Sequence, residues 1–186
     1  MSKIILASQS PRRKQLMEAA ELAFEVVVAD VDETNPIGMP GTDVPVFLAT
    51  KKANAIAANY ADSLIIAADT IVLLKGEILG KPKDEHQAME MLKKLSGNVH
   101  EVVTGVCMKQ GSKEISFSVI TRVFFRLLSI PQILHYVAHY RPFDKAGAYA
   151  IQEWIGMVGI EKIEGDYYNV MGLPIGEVVQ RLPDFE

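Results

Sequence analysis

Hydrophobic positions along this chain follow two different periods. Runs of consecutive or alternating apolar residues predict strands, and stretches with apolar residues three and four positions apart predict helices. The predicted strands cover residues 3–7, 24–29, 64–68, 71–74, 77–79, 100–109, 114–127 and 157–163, and the predicted helices cover 11–20, 43–60, 131–139, 175–182 and a segment that follows Asp84 and ends at Gly97. Because strands and helices alternate, with hairpin signals at Lys75-Gly76 and residues 110–112, the pattern predicts an α/β domain with mixed strand pairing.

Composition narrows the class of protein. The chain has 186 residues, 49% of them hydrophobic, and a formal net charge of −4. This length fits one domain, and the acidic balance argues against nucleic acid or an anionic membrane surface as a partner. We also expect no membrane span and no secretory signal, because no apolar run has the length or layout of either. The single cysteine, Cys107, excludes an internal disulfide and favours a cytoplasmic location.

A polar turn after the first predicted strand carries the first candidate site. Ser10 is a favourable N-cap and Pro11 is preset for the first helical position, so a helix should begin there. Arg12 and Arg13 then lie in the first turn, where the helix dipole and the free amides are already partly positive. An anion bound between the arginines would make this arrangement favourable, and phosphate fits best. The alternative is that both arginines are solvated on an ordinary amphipathic helix.

A single carboxylate interrupts the apolar stretch from Ile65 to Leu74. Burying Asp69 is costly unless it is paired, hydrogen-bonded or bound to a metal. A carboxylate at the carboxyl end of a strand also lies where open α/β sheets place their functional residues. We therefore interpret Asp69 as functional. The alternative is that Asp69 and Thr70 cap a turn between two strands.

Two lysines and an acidic loop add candidates for phosphate and metal binding. Lys52 lies on an otherwise apolar line of its predicted helix, which points its stem along the protein body, although snorkelling gives the same pattern. Lys81 is held between a glycine and a proline and could act as a point charge for phosphate; a solvated loop lysine is the alternative. Asp32 and Glu33 lie in a polar loop, where Mg²⁺ could be held or where the acids are simply solvated.

The segments that carry these candidate residues, together with several others, resemble in their order along the chain the Maf family of nucleotide pyrophosphatases. Each match is weak alone, but the ordered set, from residue 4 to the final predicted helix, is highly specific. The matching segments are Leu6-Ala7-Ser8-Gln9-Ser10-Pro11-Arg12-Arg13, Asp32-Glu33, Lys52-Ala53, Ala68-Asp69-Thr70, Gly80-Lys81-Pro82, Val103-Thr104-Gly105-Val106, residues 144–149, Ile151-Gln152 and residues 168–174.

The resemblance implies both a fold and an activity. The fold would be a mixed twisted sheet with flanking helices, similar to the inosine-triphosphatase-like proteins, with two lobes around a central cleft in a single domain of residues 1–186. The activity would be hydrolysis of nucleoside triphosphates between the α and β phosphates, which removes unwanted nucleotides as a monophosphate and pyrophosphate. The family uses a divalent cation, commonly Mg²⁺ or Mn²⁺.

The resemblance also implies roles for individual residues. Asp69 resembles the general base that activates water, and Lys52 and Lys81 resemble catalytic cations that also bind phosphate. Glu33 resembles a metal-associated acid, and Asp69 would share the metal. The residues that match substrate-binding positions are Ser8, Arg12, Arg13, Thr70 and Gln152, of which Arg12, Thr70 and Gln152 match positions associated with substrate selection. The interpretation requires the cationic side chains and Asp69 to face one shared pocket.

Residues 144–152 are similar to the branch of the family that acts on dTTP and UTP, with some modified pyrimidine nucleotides accepted. The chain departs from that pattern at Ala150 and Glu153, which stand where glycines are common and add bulk and negative charge near the expected base pocket. Two alternatives remain open: a pyrophosphatase of the branch that prefers 7-methyl-GTP, and a non-catalytic nucleotide-binding regulator of cell division. A homodimer is possible.

Overall fold

The computed structural model describes residues 3–34 and 36–185, and that part of the chain forms seven strands and seven α-helices. The strands are β1 (Ile4–Leu6), β2 (Phe24–Val26), β3 (Leu64–Leu74), β4 (Glu77–Leu79), β5 (Val99–Gln110), β6 (Lys113–Phe125) and β7 (Ile160–Glu164). The helices are α1 (Pro11–Ala19), α2 (Val44–Ala57), α3 (Glu85–Leu95), α4 (Ile130–Tyr140), α5 (Trp154–Gly159), α6 (Tyr167–Met171) and α7 (Ile175–Arg181), and short 3-10 helices cover Ala146–Ala148 and Leu182–Phe185.

The strands form one mixed sheet in the order β2-β1-β3-β5-β6-β7, with β4 paired to β3. β1 is parallel to both β2 and β3, and Leu6 is aligned with Val26 and Ile66. β3 continues past the end of β1 and pairs antiparallel with β4, where Val72 faces Leu79. The prediction of an α/β fold with a mixed sheet and flanking helices is confirmed.

The described residues fall into two compact units. The first is made of the described residues among 1–70, 104–119 and 172–186, and the second of residues 71–103 and 120–171. β3, β5 and β6 contribute residues to both units. This division agrees with the expected two lobes, whereas the central cleft and the single domain of residues 1–186 stay predictions.

The core of the first unit holds α2 against the sheet. Ala49 and Ala53 are fully buried against strand residues that include Ile5 and Ile65, and their small side chains let the helix approach closely. β5 also comes very close to the start of this helix: a Cβ added to Gly105 would lie 2.2 Å from the Pro45 backbone. A glycine is therefore required at position 105, and α2 packs directly on the strands.

The core of the second unit is built around α3 and α4, which pack against each other. Leu92, Leu95 and Ile133 are almost fully buried there. His100 is buried against the rings of Phe125 and Tyr149, and its Nε2 lies 2.7 Å from the Tyr149 hydroxyl. Burial lowers the pKa of His100 to about 4, so the ring is neutral near pH 7. No helix among the described residues combines the length and the apolar character needed to cross a bilayer.

Two secondary-structure predictions are wrong. Asp69 and Thr70 do not separate two strands, because β3 runs without a break from residue 64 to residue 74. The predicted strand 157–163 begins only at Ile160, since residues 154–159 form α5. In α5 a Cβ on Gly156 would come within 1.8 Å of the carbonyl oxygen of Ile151, five residues earlier, so glycine lets the chain turn back closely on itself there.

Candidate active site

The carboxyl end of β1 leads directly into the first part of the site. Ser8 is buried, and its hydroxyl oxygen accepts a hydrogen bond from the Ser10 amide at 3.2 Å. Ser10 is the N-cap of α1, with its side chain 3.5 Å from the Arg13 amide, and Pro11 is the first helical residue, as predicted. This turn places both arginines in the first turn of the helix.

Arg13 turns inward, and its guanidinium joins three segments of the chain. Nε donates to the Gly172 carbonyl oxygen at 2.7 Å, Nη1 to the Ser8 hydroxyl at 3.1 Å, and Nη2 to the Thr70 hydroxyl at 3.0 Å. Three of the five N–H groups of a guanidinium are thereby used inside the protein. Burial lowers the pKa of Arg13, and the negative charge of Asp69 opposes that shift. Its role in binding phosphate stays a prediction.

Arg12 is only half-buried and lies close enough for its charge to lower the pKa of Arg13 further. Two like charges near each other are unfavourable unless negative charge is close by. Asp69 and Glu33 supply part of that charge, because both raise the pKa of Arg13. The pair of arginines therefore belongs to the same charged environment as the two carboxylates.

A single ammonium group joins the two carboxylates. Lys52 Nζ lies 2.7 Å from Asp69 Oδ1 and 2.8 Å from Glu33 Oε1. The side chains of Lys52 and Asp69 are 8% and 13% exposed, whereas that of Glu33 is 50% exposed. Lys52 is on the buried side of α2, as its place on an apolar line of the helix predicted. Asp69 lies on β3 beyond Ile66, the last residue of that strand that pairs with β1.

Two contributors to this arrangement lie in segments that carry the family resemblance, but were assigned no role from the sequence. Thr104 on β5 is fully buried, and its hydroxyl lies 2.9 Å from that of Thr70. Gly172 provides the carbonyl that Arg13 needs, and its φ of +116° favours glycine. A threonine inside the apolar run 102–108 was a signal for the first, whereas nothing local marks a backbone carbonyl as an acceptor.

Two of the predicted site residues, Lys81 and Gln152, belong to the second unit. Lys81 is exposed and lines an open depression together with Lys83 and His86. The loop that carries Lys81 is tied to the segment that carries Gln152, because the Gly147 amide donates to the Gly80 carbonyl oxygen at 3.1 Å. In the second unit the structure brings Lys81 near the segment that carries Gln152. In the first unit it brings together Ser8, Arg12, Arg13, Glu33, Lys52, Asp69 and Thr70.

The two carboxylates fit a divalent cation that takes most of its ligands from elsewhere. Within residues 3–34 and 36–185 no group of three or more His, Cys, Asp or Glu side chains is arranged to hold a metal. Glu33 and Asp69 nevertheless contact the same ammonium, so their oxygens lie close together. Mg²⁺ is usually bound through one or two carboxylates, with water and substrate phosphates completing its shell, and this pair of acids meets that requirement.

Comparison with known proteins identifies relatives over nearly the whole chain. A family model described as "Maf-like protein" matches residues 3–185. A protein of Cytophaga hutchinsonii named dTTP/UTP pyrophosphatase is 52% identical over 96% of this chain and 82% of its own length. Proteins with the same name from Bacillus cereus and Parabacteroides distasonis are 47% and 45% identical, over 100% and 98% of this chain and 97% and 96% of their own lengths.

Replacing Arg13 by lysine should destabilise the protein. A lysine keeps the charge but cannot reach Gly172, Ser8 and Thr70 at once, so buried acceptors lose their donors. We expect the free energy of unfolding, measured by urea denaturation, to fall by about 3 kcal/mol.

The matched control is Lys14→Ala on the same helix. Lys14 is exposed, and its Nζ lies 3.6 Å from Glu18 Oε1. Loss of such a surface ion pair should lower the free energy of unfolding by less than about 0.5 kcal/mol. Equal stability of Arg13→Lys and Lys14→Ala would show that the guanidinium does not hold the three segments together.

Proposed function

The chain belongs to the Maf family, and we propose that it hydrolyses dTTP and UTP between the α and β phosphates, releasing a nucleoside monophosphate and pyrophosphate. The single observation that carries this proposal is the Lys52 ammonium bound to both Asp69 and Glu33, beside the buried guanidinium of Arg13. The names of the relatives from three bacteria support the choice of substrate. Its single cysteine also suits a reducing cytoplasm as the place of action.

A triphosphate carries about four negative charges, so attack of water on the α-phosphorus meets strong repulsion. Positioning and electrostatic stabilisation are the main contributions that proteins make to such reactions. In this proposal Arg12, Arg13 and Lys52 offset the charge of the phosphates, with Ser8 adding a hydroxyl. Lys81 contributes a further cation that stabilises the departing pyrophosphate.

Asp69 is the proposed general base. Its carboxylate takes the proton of the attacking water at one oxygen while Lys52 holds Oδ1 in place at 2.7 Å. Anchoring the base through a buried, rigid cation fixes its orientation, which proton transfer requires. Thr70 is the next residue on β3, and its hydroxyl is hydrogen-bonded to Arg13 and Thr104, which ties this part of the strand to its surroundings.

We further propose that Glu33 and Asp69 hold a divalent cation, Mg²⁺ or Mn²⁺, when substrate is bound. Such an ion lowers the charge on the phosphate oxygens and makes water more acidic. Glu33 suits this role because half of its side chain is exposed while its Oε1 is tethered to Lys52. Gln152 is the proposed contact to the pyrimidine, since an amide can both donate to and accept from the base edge.

A nucleotide panel with product identification tests the proposal. With Mg²⁺ or Mn²⁺, dTTP and UTP should yield monophosphate and pyrophosphate faster than CTP or 7-methyl-GTP. Release of orthophosphate instead would contradict the assigned bond, and faster turnover of 7-methyl-GTP would indicate the other branch of the family. Binding of dTTP without any turnover would support a nucleotide-binding regulator.

Asp69→Asn should abolish most turnover and spare nucleotide binding. The amide cannot accept the proton of water, so kcat should fall about 10²- to 10⁴-fold, whereas the dissociation constant for dTTP, measured by calorimetry, should change little. Asp62→Asn, an exposed acid just before β3, is the control and should keep wild-type kcat. Wild-type turnover by Asp69→Asn would remove Asp69 as the base.

Lys81→Ala should weaken catalysis more than folding. The side chain is exposed, so its loss should leave the melting temperature nearly unchanged, while loss of a charged contact to phosphate should lower kcat/KM about 10- to 100-fold. Lys83→Ala is the matched control, because Lys83 is also exposed and lines the same depression. If both variants had the same kcat/KM, Lys81 would have no special role.

A further inference from the structure

Gln152 lies in a β-turn whose two ends are Ala150 and Glu153. The Glu153 amide donates to the Ala150 carbonyl oxygen at 3.1 Å, which closes the turn. Ile151 is buried, and Gln152 beside it is exposed. The turn therefore has an anchored side and an accessible side, and Gln152 is on the accessible one.

One hydroxyl group holds both ends of this turn. Tyr136 on α4 is fully buried, and its oxygen accepts a hydrogen bond from the Ala150 amide at 3.2 Å. The same hydroxyl donates its hydrogen to Glu153 Oε2. The ring of Tyr136 stacks on Tyr140 at a centroid distance of 5.0 Å, and α4 packs against α3. The hydroxyl thus projects from a closely packed part of the second unit.

The charge of Glu153 is also engaged within the second unit. Lys145 Nζ lies 3.4 Å from Glu153 Oε1 and 2.6 Å from Asp144 Oδ1, and the lysine side chain is only 9% exposed. Although Glu153 is the N-cap of α5, its side chain makes no capping bond. The Glu153 carboxylate therefore links Lys145 to Tyr136 through its two oxygens.

We propose that Tyr136 and Glu153 are positioning residues that hold the Gln152 turn and so set the discrimination between thymine or uracil and cytosine. This inference rests on the proposed function, in which Gln152 meets the base. Thymine and uracil carry an N–H at N3 and an acceptor at O4, and cytosine carries the reverse pattern at these two positions. The terminal amide of Gln152 can turn over to meet either pattern, so the preference depends on the turn holding Gln152 at the one distance and angle at which the pattern of thymine and uracil is met best.

Tyr136→Phe removes the hydroxyl and both of its bonds while keeping the ring. The preference for dTTP over dCTP, measured as a ratio of dissociation constants by calorimetry without divalent cation, should fall about tenfold. Binding of tripolyphosphate, which has no base, should be unchanged. In steady-state assays the KM for dTTP should rise while kcat changes little, because the reacting groups lie on other residues.

Three further variants separate positioning from general damage. Tyr140→Phe, on the same helix and stacked on Tyr136, should keep the wild-type preference. Glu153→Gln retains an oxygen that accepts from Tyr136 and should also keep it, whereas Glu153→Ala should lose it. If Tyr136→Phe does not fold, the comparison of Glu153→Gln with Glu153→Ala tests the inference in its place.

The outcomes distinguish this inference from the proposed function. An unchanged preference in Glu153→Ala and in Tyr136→Phe would overturn the inference, as would a wild-type protein that binds dTTP and dCTP equally. Loss of tripolyphosphate binding together with the preference would also overturn it, since the whole site would then have collapsed. A wild-type protein that prefers dTTP in binding but releases no pyrophosphate would contradict the proposed function and leave the positioning role intact.

Discussion

Two buried cations impose the main constraint on the first unit. Arg13 is 9% exposed and Lys52 is 6% exposed, and a buried charge is tolerated only when acceptors or opposite charges surround it. Lys52 meets this requirement with Glu33 and Asp69, and Arg13 meets it with two hydroxyls and a carbonyl. The loop before α2, the middle of β3 and the end of β1 must therefore converge, and the candidate site is the place where they do.

The regular elements could be predicted where the local signal is strong. Ser10 and Pro11 mark the start of α1, and Asp84 marks the start of α3. The continuity of β3 could not be predicted, because an aspartate inside an apolar run is typical of a turn. It is tolerated in the middle of this strand since β1 has ended there and the Lys52 ammonium supplies its partner. Such long-range partners leave no trace in the hydrophobic period.

The residue types of the site were likewise easier to predict than their partners. The local pattern places Arg12 and Arg13 in the same helical turn, yet Arg13 is the more buried of the two. Its acceptor, the Gly172 carbonyl, lies 159 residues away along the chain. Glu153 shows the same limit in the second unit. Its charge stands out in the sequence, but only the fold reveals that Lys145 and Tyr136 engage it. Packing between distant segments decides both cases.

The bond from Arg13 to Gly172 has a consequence for the order in which the chain is made. A growing polypeptide that has left the ribosome as far as β6 already contains Ser8, Arg13, Lys52 and Asp69, but it lacks the carbonyl oxygen that the guanidinium requires. The first unit is completed only when residues made much later return to its earliest helix. In an unfinished chain the Arg13 guanidinium therefore lacks one of the three acceptors that it has in the complete fold.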